Sequence, residues 1–188
     1  EIELHPDRPA LTIRHTLENH SLWPVKLAPW TLSQLPLGGL AIFPQTTIQL
    51  DESGLLPNRQ LVLWPYATWG DPRLHLGDEL VFIQAQPKLP PLKIGYLNHQ
   101  GWIAYLYQGI MFVKRFTPQP DLAHVDFGCN VESYCNDKFI ELEIVAPLNN
   151  LEPGSSVTHT ELWEFYSDYP HQTTPAVGRQ ALEDLHML

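Results

Sequence analysis

Glu141 and Glu143 are the residues whose type and spacing most directly suggest chemistry. They lie in Phe139-Ile140-Glu141-Leu142-Glu143-Ile144-Val145-Ala146-Pro147. A strand alternates its side chains, so Ile140, Leu142 and Ile144 take one face and the two carboxylates the other, about 7 Å apart along the chain. Such a pair is either a solvated strand face, the commoner arrangement on surface strands, or the acidic floor of a site. A positioned carboxylate takes a proton from a hydroxyl, and a histidine supplies one near neutral pH. The nine histidines are scattered. His159 and Glu161 fall on one strand face, but a metal there would need ligands from elsewhere, and no metal is expected. Sequence signatures of serine hydrolases, zinc proteases, P-loops and dinucleotide folds do not occur, and no cofactor is expected.

Other residues suit carbohydrate. Sugars are held by aromatic faces with carboxylates and amides around their hydroxyls, and this chain carries Trp30, Trp64, Tyr66 and Trp69 beside Asn130, Glu132, Glu141 and Glu143. Trp64, Tyr66 and Trp69 share the loop 64–73, where aromatics are less easily explained by a core; they line a binding edge or close over the end of the fold. Asn130, Glu132 and Tyr134 fall on one strand face. Lys114 stands in the apolar row Ile110, Phe112, Phe116, either as an edge lysine reaching for water or as a site lysine. Interconverting sugar anomers needs a base at the anomeric hydroxyl and an acid at the ring oxygen.

Composition narrows the partners. A net charge of −10 over 188 residues opposes binding to nucleic acid, which needs a Lys/Arg surface, and to anionic membranes. No apolar run reaches transmembrane length. Cys129 and Cys135, if on one strand, lie roughly 20 Å apart, beyond the reach of a disulfide. Two free thiols point to a reducing, cytoplasmic compartment, although a removed signal peptide is compatible with a chain that starts on Glu1.

The elements that position these residues read as many short strands. The eighteen prolines are punctuation, not a tract. Strands are expected at 1–4, 10–19, 23–32, 40–44, 60–64, 79–84, 92–97, 101–107, 110–116, 124–134, 139–146 and 157–166. Gln108-Gly109 makes a tight hairpin. Thr173 or Thr174 caps a helix running to Leu188, with Pro175 in its first turn and Gly178 weakening it. The expected architecture is all-β, a large antiparallel β-sandwich over residues 1–169, followed by a helical tail over 170–188.

Several tracts resemble one family. Thr12-Ile13-Arg14-His15-Thr16-Leu17-Glu18-Asn19 followed by Trp23-Pro24-Val25-Lys26-Leu27 is similar to the tract before the catalytic histidine of galactose mutarotase (aldose 1-epimerase) proteins. Glu141-Leu142-Glu143 through Pro147, then Leu151-Glu152-Pro153-Gly154 and His159-Thr160-Glu161-Leu162-Trp163, resembles the family's end. Ala28-Pro29-Trp30-Thr31, Phe112-Val113-Lys114-Arg115-Phe116 and Gly128-Cys129-Asn130-Val131-Glu132 resemble an uncharacterised bacterial branch of mutarotase-like domains.

The resemblance covers 2–166 and implies a supersandwich with sugar on its concave sheet. It makes Glu143 the catalytic base, with Glu141 next to it. Where the family has Asn-His this chain has Pro29-Trp30, and an indole N–H is no proton shuttle near neutral pH; His15, His159 or Lys114 would have to serve. The family domain has further strands before this tract, which implies a missing N-terminal segment or a homodimer partner. The expected ligand is a sugar or glycan. The two function classes are an aldose 1-epimerase using Glu143 and a non-catalytic glycan-binding or assembly module of the same fold.

Overall fold

A computed structural model describes residues 1–49 and 51–188. The strands, in chain order, are β1 (Ile2–Leu4), β2 (Ala10–Glu18), β3 (Val25–Leu27), β4 (Trp30–Pro36), β5 (Leu40–Pro44), β6 (Val62–Leu63), β7 (Leu74–Leu76), β8 (Leu80–Gln84), β9 (Leu92–Tyr96), β10 (Trp102–Tyr107), β11 (Ile110–Phe116), β12 (Val131–Cys135), β13 (Phe139–Val145), β14 (Asn149–Leu151) and β15 (Ser156–Tyr166). One helix, α1 (Pro175–Asp184), follows. The architecture is the expected all-β sandwich with a short C-terminal helix.

Two antiparallel sheets make the sandwich. Eight strands run in the order β1-β2-β15-β11-β10-β5-β8-β7, and five in the order β4-β13-β12-β9-β6. β3 and β14 pair separately. Alternation along each strand decides what meets between the layers. Leu92, Ile94 and Tyr96 of β9 and Ile140, Leu142 and Ile144 of β13 face inward against Tyr105 and Phe112 of the larger sheet. Burying a side chain of this kind contributes about 1.5–3 kcal/mol. The opposite faces of β9 and β13 are thereby left for Lys93, Gly95, Glu141 and Glu143.

The helix covers the other side of the larger sheet. Thr174 caps it by accepting from the Val177 N–H, as expected. Ala181 and Leu182 pack on Leu40, Ile42 and Phe82. Gly178 weakens the helix locally but permits this docking, since a Cβ there would come within 2.8 Å of Leu40 Cδ2.

Two expected strands are corrected. The run 23–32 divides into β3 and β4, which belong to different sheets; Pro29 falls at the division. The run 124–134 is a strand only from Val131. Before it, Asp126, Phe127 and Gly128 have φ of 49°, 60° and 87°, a left-handed turn that no strand accommodates. β7 and β14 were not anticipated, being three-residue strands without a clear alternation. Cys129 and Cys135 are free and buried. Among the described residues, no helix is long and apolar enough to cross a membrane.

The sheets are unequal in width. Cross-strand partners share a face, so the register Leu4↔Leu11↔Trp163↔Lys114 carries the inner face of the larger sheet out to β1, past the edge strand β4. Ile2, Leu4 and Leu17 on that overhang are exposed. Between β4 and the strands β10, β11 and β15 runs a trough of about 470 Å³ that includes Leu35, Phe112, Trp163 and Phe165 in its walls.

Candidate functional site

Glu143 faces away from the core, on the outer face of the five-stranded sheet. Register assembles its neighbours: Glu143 lies opposite Leu32 on β4 and Glu132 on β12, Glu132 lies opposite Gly95 on β9, and Gly95 opposite Val62 on β6. Lys93 is two residues from Gly95 and therefore on the same face. Its Nζ is 2.7 Å from Glu132 Oε2 and 3.0 Å from Glu143 Oε2. Trp30 Nε1–H donates to Glu143 Oε2 at 2.9 Å. The ammonium lies over two indoles, 5.2 Å from the Trp30 ring centre and 4.7 Å from that of Trp64, an arrangement that contributes up to about 2 kcal/mol when shielded from water. Tyr66 stands edge-on to Tyr134, ring centres 6.4 Å apart.

The carboxylates are deeply covered, with Glu143 fully buried and Glu132 2% exposed. Each keeps one oxygen, Oε1, without a hydrogen-bond partner among the described residues. Gly95 makes room for this packing: a Cβ there would stand 2.9 Å from Cys129 Sγ and 3.2 Å from both Glu132 Cγ and the Trp64 ring.

Burial pushes the Glu132 carboxyl up to about 7; Lys93 pulls it down, while Glu143 and Asp126 add to the rise. Burial likewise raises Glu143 against the pull of Lys93 and Trp30. Lys93 itself is raised, because its two carboxylates outweigh its own desolvation, so it remains a cation.

The other expected site residues fall into three groups. Glu141 shares the face of Glu143 but stands at its rim, where its carboxylate accepts from Gln34 Nε2 at 2.9 Å. Trp69 is 64% exposed in its loop and makes no hydrogen bond or ring contact with the cluster. Asn130 and Lys114 point elsewhere. Asn130 clasps the Asn98 backbone at 2.6 and 2.9 Å, which uses its amide to hold a loop.

Lys114 is a correction to both of its readings, since it neither reaches water nor joins Glu143. It is fully buried between the sheets, where its Nζ donates to the Leu142 carbonyl at 3.3 Å and lies 3.4 Å from Glu161 Oε2. Glu161 also accepts from Trp163 Nε1 at 2.7 Å and from Thr31 Oγ1. His159 Nε2 is 3.4 Å from Glu161, and His15 stacks on His159 at 6.4 Å. This inner cluster pins the sheets together, and β13 separates it from the outer face that carries Glu143. His15, His159 and Lys114 are therefore not placed to serve Glu143 as its acid. No group of three or more His, Cys, Asp or Glu residues among the described residues is arranged to hold a metal ion.

Lys93 was the residue missed. In Leu92-Lys93-Ile94-Gly95-Tyr96 it reads as an ordinary solvated strand lysine. The local signal was Gly95, two residues on and on the same face, which clears space against that face.

No protein-family profile matches the chain, and no curated protein does so. Among solved structures, a protein of Escherichia coli K12 provisionally named an aldose 1-epimerase superposes with a TM-score of 0.50 at 13% identity, over 85% of this chain and 57% of that one. A similarly named protein of Klebsiella pneumoniae gives 0.48 at 12% identity, over 95% of this chain and 48% of that one. The chain thus spans about half the length of these neighbours. Its fold is the antiparallel β-sandwich shared with the first of these structures.

Proposed function

We propose that the outer face of the five-stranded sheet binds a carbohydrate and that Glu143 accepts the proton of its anomeric hydroxyl. The observation that carries this reading is the pair of buried carboxylate oxygens, one on Glu132 and one on Glu143, that lack hydrogen-bond donors, in a cluster whose shared Lys93 ammonium lies over two indoles. Buried acceptors without donors are costly. A sugar can satisfy both at once, a hydroxyl group donating to Glu143 and a neighbouring oxygen of the ring or its hydroxyls pairing with the Glu132 carboxyl, and the rings of Trp30 and Trp64 offer stacking surface. Because both oxygens are covered, a ligand reaches them when an indole shifts; Trp30, 53% exposed, has the most freedom, and rotamer changes of this size are common on binding.

Lys93 and Trp30 hold one oxygen of Glu143 and leave the other to act as base. The fold of the neighbouring structures agrees with this reading. The chemistry is tested by NMR exchange between anomers of several aldoses. Exchange above the buffer rate is expected from the wild type, with a fall of about 10²–10⁴-fold in Glu143→Gln, the usual contribution of a positioned acid or base. No exchange and no sugar-induced thermal shift would end the proposal.

A glycan-binding module without catalysis is the second reading, favoured by Trp30 standing bonded to Glu143 where an acid is needed. It predicts binding that survives Glu143→Gln and is lost in Trp30→Ala, with no anomer exchange.

A further inference from the structure

Opening a sugar ring requires two proton movements, and Glu143 accounts for one. Glu132 is its direct cross-strand partner. It holds the same Lys93 ammonium at 2.7 Å and keeps its own Oε1 without a partner among the described residues. The two carboxyl groups differ in their surroundings: Glu143 has both Lys93 and Trp30 as donors, whereas Glu132 has Lys93 alone and stands beside the Asp126 carboxyl, which disfavours its charged form. A proton shared by the pair therefore rests on Glu132.

We propose that Glu132 is the proton donor to the sugar ring oxygen, working opposite Glu143, in an arrangement that uses a second carboxyl group where a histidine would otherwise be needed. This rests on the carbohydrate reading of the same site. Glu143 Oε1 takes the proton from the anomeric hydroxyl O1. A C1–O1 double bond forms as the C1–O5 bond breaks, and the electron pair released onto O5 takes the proton of Glu132. The aldehyde turns about C1–C2. Ring closure reverses both transfers and restores a protonated Glu132 and an ionised Glu143, with no net gain or loss of protons.

The alternatives nearby are poorer acids. Lys93 is held as a cation by two carboxylates, burial raises the Tyr66 phenol, and the Trp30 N–H does not ionise near neutral pH. The titratable groups facing Glu132 are Lys93 from β9, Glu143 from β13, Asp126 and Cys129 from the turn before β12, and Tyr66 from the loop after β6. Together with burial they leave its carboxyl at about 7, close to the pH at which it would work.

The test has two readouts on Glu132→Gln. The first is anomer exchange. The variant should lose about 10²-fold or more while keeping a sugar-induced thermal shift, and the wild-type rate should fall as pH rises past 7, where the donor ionises. The second needs no sugar. A carboxyl whose folded pKa is raised loses stability as pH climbs from its unfolded value to the folded one. The Tm of the wild type should therefore drop relative to Glu132→Gln between pH 4.5 and 7 and run parallel to it above. Should the Gln variant not fold, Glu132→Asp, which draws the acid back by one methylene, should slow exchange and keep the alkaline fall. Wild-type exchange that Glu132→Gln leaves unchanged overturns this proposal alone, as does a Tm difference that does not vary with pH. No exchange by the wild type overturns the carbohydrate chemistry and this step together.

Discussion

Among the buried glutamates, Glu132, Glu143 and Glu161 meet two opposite fates, and the difference lies in how many donors each one has. Glu161 is fully buried. Burial alone would raise it, yet His159, Lys114, Thr31 and Trp163 outweigh that and hold its carboxyl at about 2. Glu143 has two donors and Glu132 one, and burial prevails at both. A depressed carboxyl contributes stability that is present above its unfolded pKa of 4.5 and lost as pH falls toward 2. Glu161 therefore supplies on the order of 3 kcal/mol at neutral pH that acid removes. Urea unfolding of the wild type should weaken steeply between pH 4.5 and 2, and Glu161→Gln should flatten that fall while lowering stability at pH 7. An acid limb of equal steepness in both proteins would refute this account of the inner cluster. The sequence showed the face of Glu143 and Glu141 plainly, because period-two alternation is local. It could not show that Glu161 lies between layers, because its partners Lys114 and Thr31 come from two other strands.

At the scale of elements, β9 is decisive. It brings Lys93 to both acids, and Gly95 lets Glu132 and Trp64 close around them. Gly95→Ala would set a methyl 2.9 Å from Cys129 Sγ and 3.2 Å from Glu132 Cγ. Overpacking of this kind costs about 1–3 kcal/mol. Both the Tm and the sugar affinity should fall, whereas loss of stability with unchanged affinity would show that Gly95 supports the sheet and not the site. The hairpin of β10 and β11 and the capped helix were legible because Gln108-Gly109 and Thr174-Pro175 are strong local signals, and the strand β13 because its alternation is regular. The site itself was half legible. Glu132, Glu143, Trp30 and Trp64 carry it by type, but their convergence with Lys93 follows from the strand order β4-β13-β12-β9-β6, which no local pattern specifies. The turn at 126–128 was misread for a related reason, since Asp126 and Phe127 adopt left-handed backbone without being glycine.

For the whole molecule, the mismatch between eight strands and five has a direct consequence. Monomeric proteins rarely leave a continuous apolar patch of more than a few hundred Å² in water, and here the overhang exposes Ile2, Leu4 and Leu17 while a second apolar surface lines the trough beside β4. Native protein at pH 7 should bind the dye ANS, and Ile2→Ser with Leu4→Ser should lower that binding without changing the circular dichroism. ANS binding as weak as that of a compact control protein would show that the overhang folds back or is covered in solution.

The ammonium of Lys93, held over the rings of Trp30 and Trp64, also gives the protein an internal optical gauge. A fixed charge above an indole alters the colour and yield of its fluorescence, and anything that slides between ring and charge, or turns the ring aside, changes both. Of the six tryptophans, these two sit on the one cation that bridges the paired acids. Occupancy of the face can therefore be followed by emission alone, without a label and before any substrate has been identified.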